Sequence, residues 1–122
     1  MTKMLRKLSQ AVPLHDPRYG VVFELAGIAT GLGAMGVAWA EVDAGAISPA
    51  HWHDRTEEVY FIIEGYGVMH LGETAFSIGA GDVVSIPRGF IHAIENPGPA
   101  TLRMVVATTP PYDDSDDHEV GS

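Results

Sequence analysis

Residues 45–65 read GAISPAHWHDRTEEVYFIIEG, and residues 81–96 read GDVVSIPRGFIHAIEN. Both blocks place metal-binding side chains at spacings that strands can use. His51 and His53 are two apart, so an extended chain presents both imidazoles on one face. Glu58 opens the next apolar run, in which Glu58, Tyr60 and Ile62 share one face and Val59, Phe61 and Ile63 the other. His92 opens a further short strand. Three neutral imidazoles and one carboxylate suit a divalent transition metal (Mn, Fe, Zn, Ni or Cu), and four protein ligands around an octahedral ion leave two positions for water or substrate. The candidate ligands are His51, His53, Glu58 and His92, for one ion per chain. Glu57 is the rival of Glu58, because a shift of one residue exchanges the faces.

Around these blocks the chain alternates short apolar runs with glycine and proline, the pattern of an all-β barrel or sandwich. Strands are expected at Val37–Val42, Val59–Ile63, Val83–Ile86 and Leu102–Thr108, the last preceded by an Asn96-Pro97-Gly98-Pro99 turn. Val68–Leu71 should pair with Thr74–Ile78 across Gly72-Glu73, a two-residue loop suited to a type II′ turn. A helical turn or two in residues 2–11 is the only helix expected. Gly31-Leu32-Gly33-Ala34-Met35-Gly36 fits a dinucleotide-type glycine pattern, but a strand follows where a helix should open, so it is read as a loop.

The two blocks resemble the cupin superfamily. Gly45, five residues, His51-Trp52-His53, four residues, Glu58, six residues and Gly65 match its first motif at every position; Gly81, five residues, Pro87, one residue, Gly89, two residues, His92, three residues and Asn96 match the second. The short spacer 66–80 and the ending around Thr109–Asp114 are similar to small one-domain cupins. The resemblance implies a small antiparallel β-barrel of the jelly-roll type with the ligands projecting inward. It further implies a single cupin domain over 1–122, with a core barrel at about 20–112, an N-terminal arm 1–19 and a tail 113–122.

Composition limits the alternatives. A chain of 122 residues supports one core. The net charge is −9, and five of the sixteen acids fall in Asp113–Glu119, leaving −4 for the rest. Such a surface repels nucleic acid and anionic membranes, and no basic patch with interleaved aromatics argues otherwise. Cysteine is absent, which excludes disulfides and thiolate ligands. No signal-like run follows Lys3, Arg6 and Lys7, and no apolar stretch is long enough to span a membrane, so a cytoplasmic location is expected. The acidic tail beyond Tyr112, poor in apolar residues, is expected to be a mobile end.

Other residues have two readings each. Tyr60 shares the inward face with Glu58 and is either a catalytic pocket acid or donor to the ligands, or an aromatic that fills the barrel. His70 is a pocket base or, more simply, a surface histidine on a hairpin. Arg88 and Arg103 could meet a substrate carboxylate or lie exposed. Trp52, between two ligands, points to the opposite face and packs there. Gly81, Pro87 and Gly89 are turn-makers, and His15 and His118 receive no role. The expected function is a mononuclear metal-dependent enzyme acting on a small oxygenated substrate, for which the resemblance to cupins implies decarboxylation, isomerisation, β-elimination or dioxygenation. The alternative is a non-catalytic binding module using the same pocket. A homodimer is expected, because cupins commonly pair and one barrel sheet is free to do so.

Overall fold

Alternating inward and outward side chains build two antiparallel sheets in the computed structural model, which describes residues 4–15 and 19–120 and, of Leu14 and His15, the backbone alone. The strands are β1 (Pro13–His15), β2 (Gly20–Ala26), β3 (Gly36–Val42), β4 (His51–Trp52), β5 (Glu57–Glu64), β6 (Tyr66–Leu71), β7 (Thr74–Gly79), β8 (Val83–Ile86), β9 (His92–Glu95), β10 (Leu102–Thr109) and β11 (His118–Glu119). One sheet has the order β1-β2-β3-β10-β5-β8, the other β11-β4-β9-β6-β7. Their inner faces meet in a core that joins Ala40, Val42, Ile62 and Met104 of the first to Met69 and Ile94 of the second. This is the expected all-β, cupin-like architecture, built as two sheets that share no ladder among the described residues.

Register explains which side chains face the interior. Ala40 lies opposite Met104 and Met104 opposite Ile62, while one row further Ala38, Val106, Tyr60 and Val84 stand side by side. The next row places Gly36, Thr108, Glu58 and Ile86 together. Glu58 is therefore an acid at an inward position, two residues from Tyr60 along β5, whose burial alternates strictly from Glu57 to Ile62. The opposite parity carries an apolar row across the outer face: Phe23, Trp39, Val105, Phe61 and Val83. Phe61 and Val83 are exposed there.

The expected hairpin is present, with Leu71 opposite Thr74. Gly72 has φ +60° and no non-glycine among the described residues has positive φ, the signs a type II′ turn requires. At Gly67 on β6 there is no room for a side chain, since a Cβ would collide with the Glu95 carbonyl oxygen on neighbouring β9 and lie 3.1 Å from Leu102. Asn96 closes the end of β9, donating from Nδ2 to Val42 O (2.9 Å) and Ala100 O (2.8 Å) and accepting from Gly98 N (2.8 Å).

Two expectations, for the arm and for the tail, need correction. The arm proposed for residues 1–19 holds β1, paired through Pro13 with Phe23 and through His15 with Val22. The helical turn expected in 2–11 is a 3-10 turn, Leu8–Gln10, in the described part of that range. The tail is not free: Asp114–Asp116 forms a 3-10 turn capped by Asp113, Asp116 is 2% exposed, and β11 adds to β4. The Asp116 carboxylate is satisfied by backbone N–H groups of Asp54 and Arg55 and by the Thr56 hydroxyl, a means of docking that apolar content does not reveal. Strand β2 was also absent from the expected set, although Val21-Val22-Phe23 carries the composition of one. After Gly31–Gly36 a strand does follow, as expected.

Candidate metal centre

Strand β4 has only two residues, and its His51 lies directly across from His92 on β9. The pairing sets the two imidazoles 4.2 Å apart, centroid to centroid. His53 follows two residues later and is buried, and β5 brings Glu58 from the other sheet. Gly89, with φ +85°, turns the chain so that its N–H reaches His53 O at 2.7 Å and so ties the second block to the first. The result gathers one donor atom each from His51, His53, Glu58 and His92, all within 4.8 Å of one another. Glu57 points outward and lies 3.7 Å from Arg88.

Each ring is oriented through its far nitrogen. Nδ1 of His51 lies 2.9 Å from Pro49 O, that of His92 2.9 Å from Phe90 O, and that of His53 2.8 Å from Asp116 O. A carbonyl only accepts, so in a neutral ring the proton sits on Nδ1 and Nε2 keeps its lone pair. Those lone pairs converge. Nε2 of His53 and of His92 each lie 3.1 Å from Glu58 Oε1, yet these three buried atoms make no hydrogen bond. Buried polar atoms are nearly always paired. Three left unpaired around one point, with nitrogen and carboxylate donors, fit a divalent transition metal.

Electrostatics in the metal-free arrangement point the same way. Burial would lower the His53 imidazole, but the Glu58 carboxylate beside it wins and lifts its pKa to about 9. Burial would raise Glu58, but His53 and His92 hold it down at about 2. His51 is lowered by burial and by His92. A compact site that draws a positive charge next to one carboxylate is suited to a cation.

A cavity of about 110 Å³ opens between the sheets beside these candidate ligands. Its walls include Val22, Ala38, Ala40, Met104 and Val106, together with Tyr60 and Tyr19. Tyr60 is buried, and burial followed by the Glu58 charge keeps its phenol protonated, well above the usual range. Tyr19 is pushed up to about 12 by burial and then by Asp117. His70, Arg88 and Arg103 do not line this cavity. His70 pairs with Glu95 at 3.2 Å near the surface, and Arg103 joins Glu41 (3.5 Å) and Glu64 on the outer face. Trp52 turns away from its neighbours' face and stacks on His118 at 4.4 Å.

Tyr19, Glu24, Tyr112 and Asp117 also line the cavity and were missed by sequence reasoning, as was Asp116 behind His53. Only Glu24 left a signal: it shares strand parity with inward-facing Val22. Asp54, Asp116 and His118 form a second group of potential ligands, but the Asp116 carboxylate is already engaged by backbone donors.

Among known proteins, an uncharacterised protein of Methanocaldococcus jannaschii is 38% identical over 80 residues, which cover 66% of this chain and 64% of that one. The chain thus spans under two thirds of that relative's length. Of solved structures, the polyketide cyclase RemF from Streptomyces resistomycificus superposes with a TM-score of 0.82 at 19% identity, covering 98% of this chain and 87% of that one. The formate complex of oxalate decarboxylase from Lactobacillus farciminis gives a TM-score of 0.80 at 23% identity, covering 93% of this chain and 34% of that one. Both likenesses are of fold. The profile of the cupin domain matches residues 38–108, and with both sequence blocks and the two-sheet fold in place, the chain belongs to the cupin family.

Proposed function

We propose that the chain holds one divalent transition metal (Mn, Fe, Zn, Ni or Cu) on His51, His53, Glu58 and His92, and acts as an enzyme on a small oxygenated substrate in the adjoining cavity. The observation that carries this reading is the convergence of three buried, unpaired ligand atoms, Nε2 of His53, Nε2 of His92 and Oε1 of Glu58. Such an ion supplies Lewis acidity toward a bound carbonyl or hydroxyl oxygen. The protein's own part is to fix the rings through their Nδ1 protons, to exclude water with the apolar wall, and to offer the Tyr60 phenol. Tyr60 stays protonated at neutral pH and so serves as a hydrogen-bond donor or acid, not as a base.

The candidate reactions are decarboxylation, isomerisation, elimination and dioxygenation. Among the described residues no lysine or arginine faces the cavity, while Glu24 and Asp117 do. This favours a keto or hydroxy compound, or a monoacid that meets the ion, over a substrate with a second negative charge. A non-catalytic module is the second reading, favoured by Val22, Ala38, Ala40, Met104 and Val106, which bring no proton-transfer group. The reading includes a cytoplasmic homodimer, supported by the apolar outer row from Phe23 to Val83. No helix of the described residues is long and apolar enough to cross a membrane.

The test is metal analysis of protein purified without an affinity tag, followed by turnover against a panel of small keto, hydroxy and carboxylic acids. Metal-dependent turnover supports the enzyme. Ligand-induced stabilisation without turnover supports the module.

A further inference from the structure

We infer that the C-terminal segment Asp113–Glu119 is a strap that positions the metal ligand His53, with Asp116 as the positioning residue; the inference rests on the metal reading above. Asp116 works from both ends. Its backbone carbonyl accepts the Nδ1 proton of His53 at 2.8 Å. Its carboxylate, 2% exposed, accepts from Asp54 N (2.8 Å), Arg55 N (3.0 Å) and Thr56 Oγ1 (2.9 Å), the turn that leads from His53 toward Glu58.

The strap also grips the chain ahead of His53. In β11, His118 lies opposite Trp52 and Glu119 opposite His51. The His118 ring stacks on Trp52 with an interplanar angle of 27°, and Val120 N donates to Ala50 O at 2.9 Å. On its other side β4 pairs with β9 only through His51 and His92. A two-residue strand with one such pair has little of its own to fix the next ligand, so the strap supplies the missing neighbour. A buried carboxylate is costly unless its lone pairs are met. Here three donors meet them, and all three belong to the segment that carries His53 forward. The same segment contributes Asp117 to the cavity wall, where Tyr112 Oη donates to it at 3.1 Å.

The test compares the wild type with Asp116→Asn, Thr56→Val, Thr56→Ser and a protein lacking residues 113–122. Zinc affinity is measured by competition with a chromophoric chelator. The tautomer of His53 is read from ring 15N signals of the metal-free protein, at a pH where the ring is neutral. Asn at 116 turns an acceptor into a donor facing Arg55 N–H, so we expect zinc binding weakened about tenfold to a hundredfold, the range for a lost partner behind a ligand. The His53 proton should then be shared between both nitrogens instead of held on Nδ1. Thr56→Val should weaken zinc by a few-fold and Thr56→Ser should match the wild type. Wild-type affinity and a pure Nδ1 tautomer in Asp116→Asn and in the shortened protein would overturn the inference. If the shortened protein does not fold, the Thr56 pair decides, and equal affinities overturn it. A wild type that binds no zinc would refute the metal reading with this ion, while the His53 tautomer would still test the strap.

Discussion

His51 and His92 give their Nδ1 protons to carbonyls two residues back, Pro49 and Phe90, whereas His53 gives its proton to Asp116, 63 residues on. The first two rings are set by their own short segments as soon as β4 and β9 pair. The third is set only when the far end of the chain has docked. Candidate ligands at neighbouring positions, with the same chemistry, thus depend on very different lengths of sequence. A motif can therefore name a ligand without naming what aims it.

The largest expected effect comes from removing both kinds of ligand at once. His53→Ala combined with His92→Ala should lower bound metal from one equivalent to none in elemental analysis, with the β-sheet circular dichroism retained. A full equivalent in that variant would discredit the ligand set. Next comes the parity of β5. Glu58→Gln removes a charged ligand and should weaken metal binding at least about tenfold to a hundredfold, while Glu57→Gln, on the exposed face beside Arg88, should change it less than about twofold. The reverse ranking in a titration would place the register off by one.

A pH series separates the remote-held ring from the others. Because His53 is raised to about 9 without metal, a proton must leave it when metal binds. The apparent dissociation constant should therefore fall about tenfold per pH unit from neutrality to about 9 and then level off. At acid pH His51, held below the ordinary imidazole range by burial and by His92, competes as well, and the dependence should steepen. For the metal-free fold the sign is opposite. A His53 pKa above its unfolded value contributes stability that is complete below about 6.5 and is lost as pH rises through about 9. Glu58, lowered to about 2, contributes above about 4.5 and loses that contribution only as pH falls through about 2. Melting curves should thus separate loaded from metal-free protein most widely at alkaline pH, and a constant separation from pH 6 to 9 would contradict the coupling of His53 to Glu58.

The smallest effects lie outside the cavity. His70→Ala removes a partner of Glu95 and should shift metal affinity by less than about twofold. Phe61→Lys places a charge in the outer apolar row and should convert a dimer to monomer in sedimentation, again leaving metal affinity unchanged. A monomeric wild type would remove that row from the argument.

Much of this architecture was legible because parity is a strong constraint. Glu58, Tyr60 and Ile62 alternate with Val59, Phe61 and Ile63, so an apolar core selects one face and carries Glu58 inward with it. The hairpin at Gly72 and the loop before Val37 announced themselves through glycine placement. The strap did not, since five acids in seven residues read as solvated charge unless their partners are known. For Asp116 those partners are the backbone N–H groups of Asp54 and Arg55, which every sequence supplies and none advertises. Tyr19 and Tyr112 were hidden for a related reason: they enter the cavity from segments outside both blocks. The arginines follow the plainer of their two readings, pairing with acids from positions that turn outward.

Gly67 contributes nothing to the chemistry, yet a mutational scan for metal retention would single it out. Even alanine there must push β6 from β9, and the same two strands hold Leu71 opposite His92. Displacement at one end of the ladder would be felt as a misplaced imidazole at the other. Saturation mutagenesis would then record a position as intolerant as a ligand, and a proline or bulky residue there would erase metal without touching a donor atom. Scored beside His92, Gly67 would mimic a functional residue; scored beside thermal stability, it would sort with the scaffold.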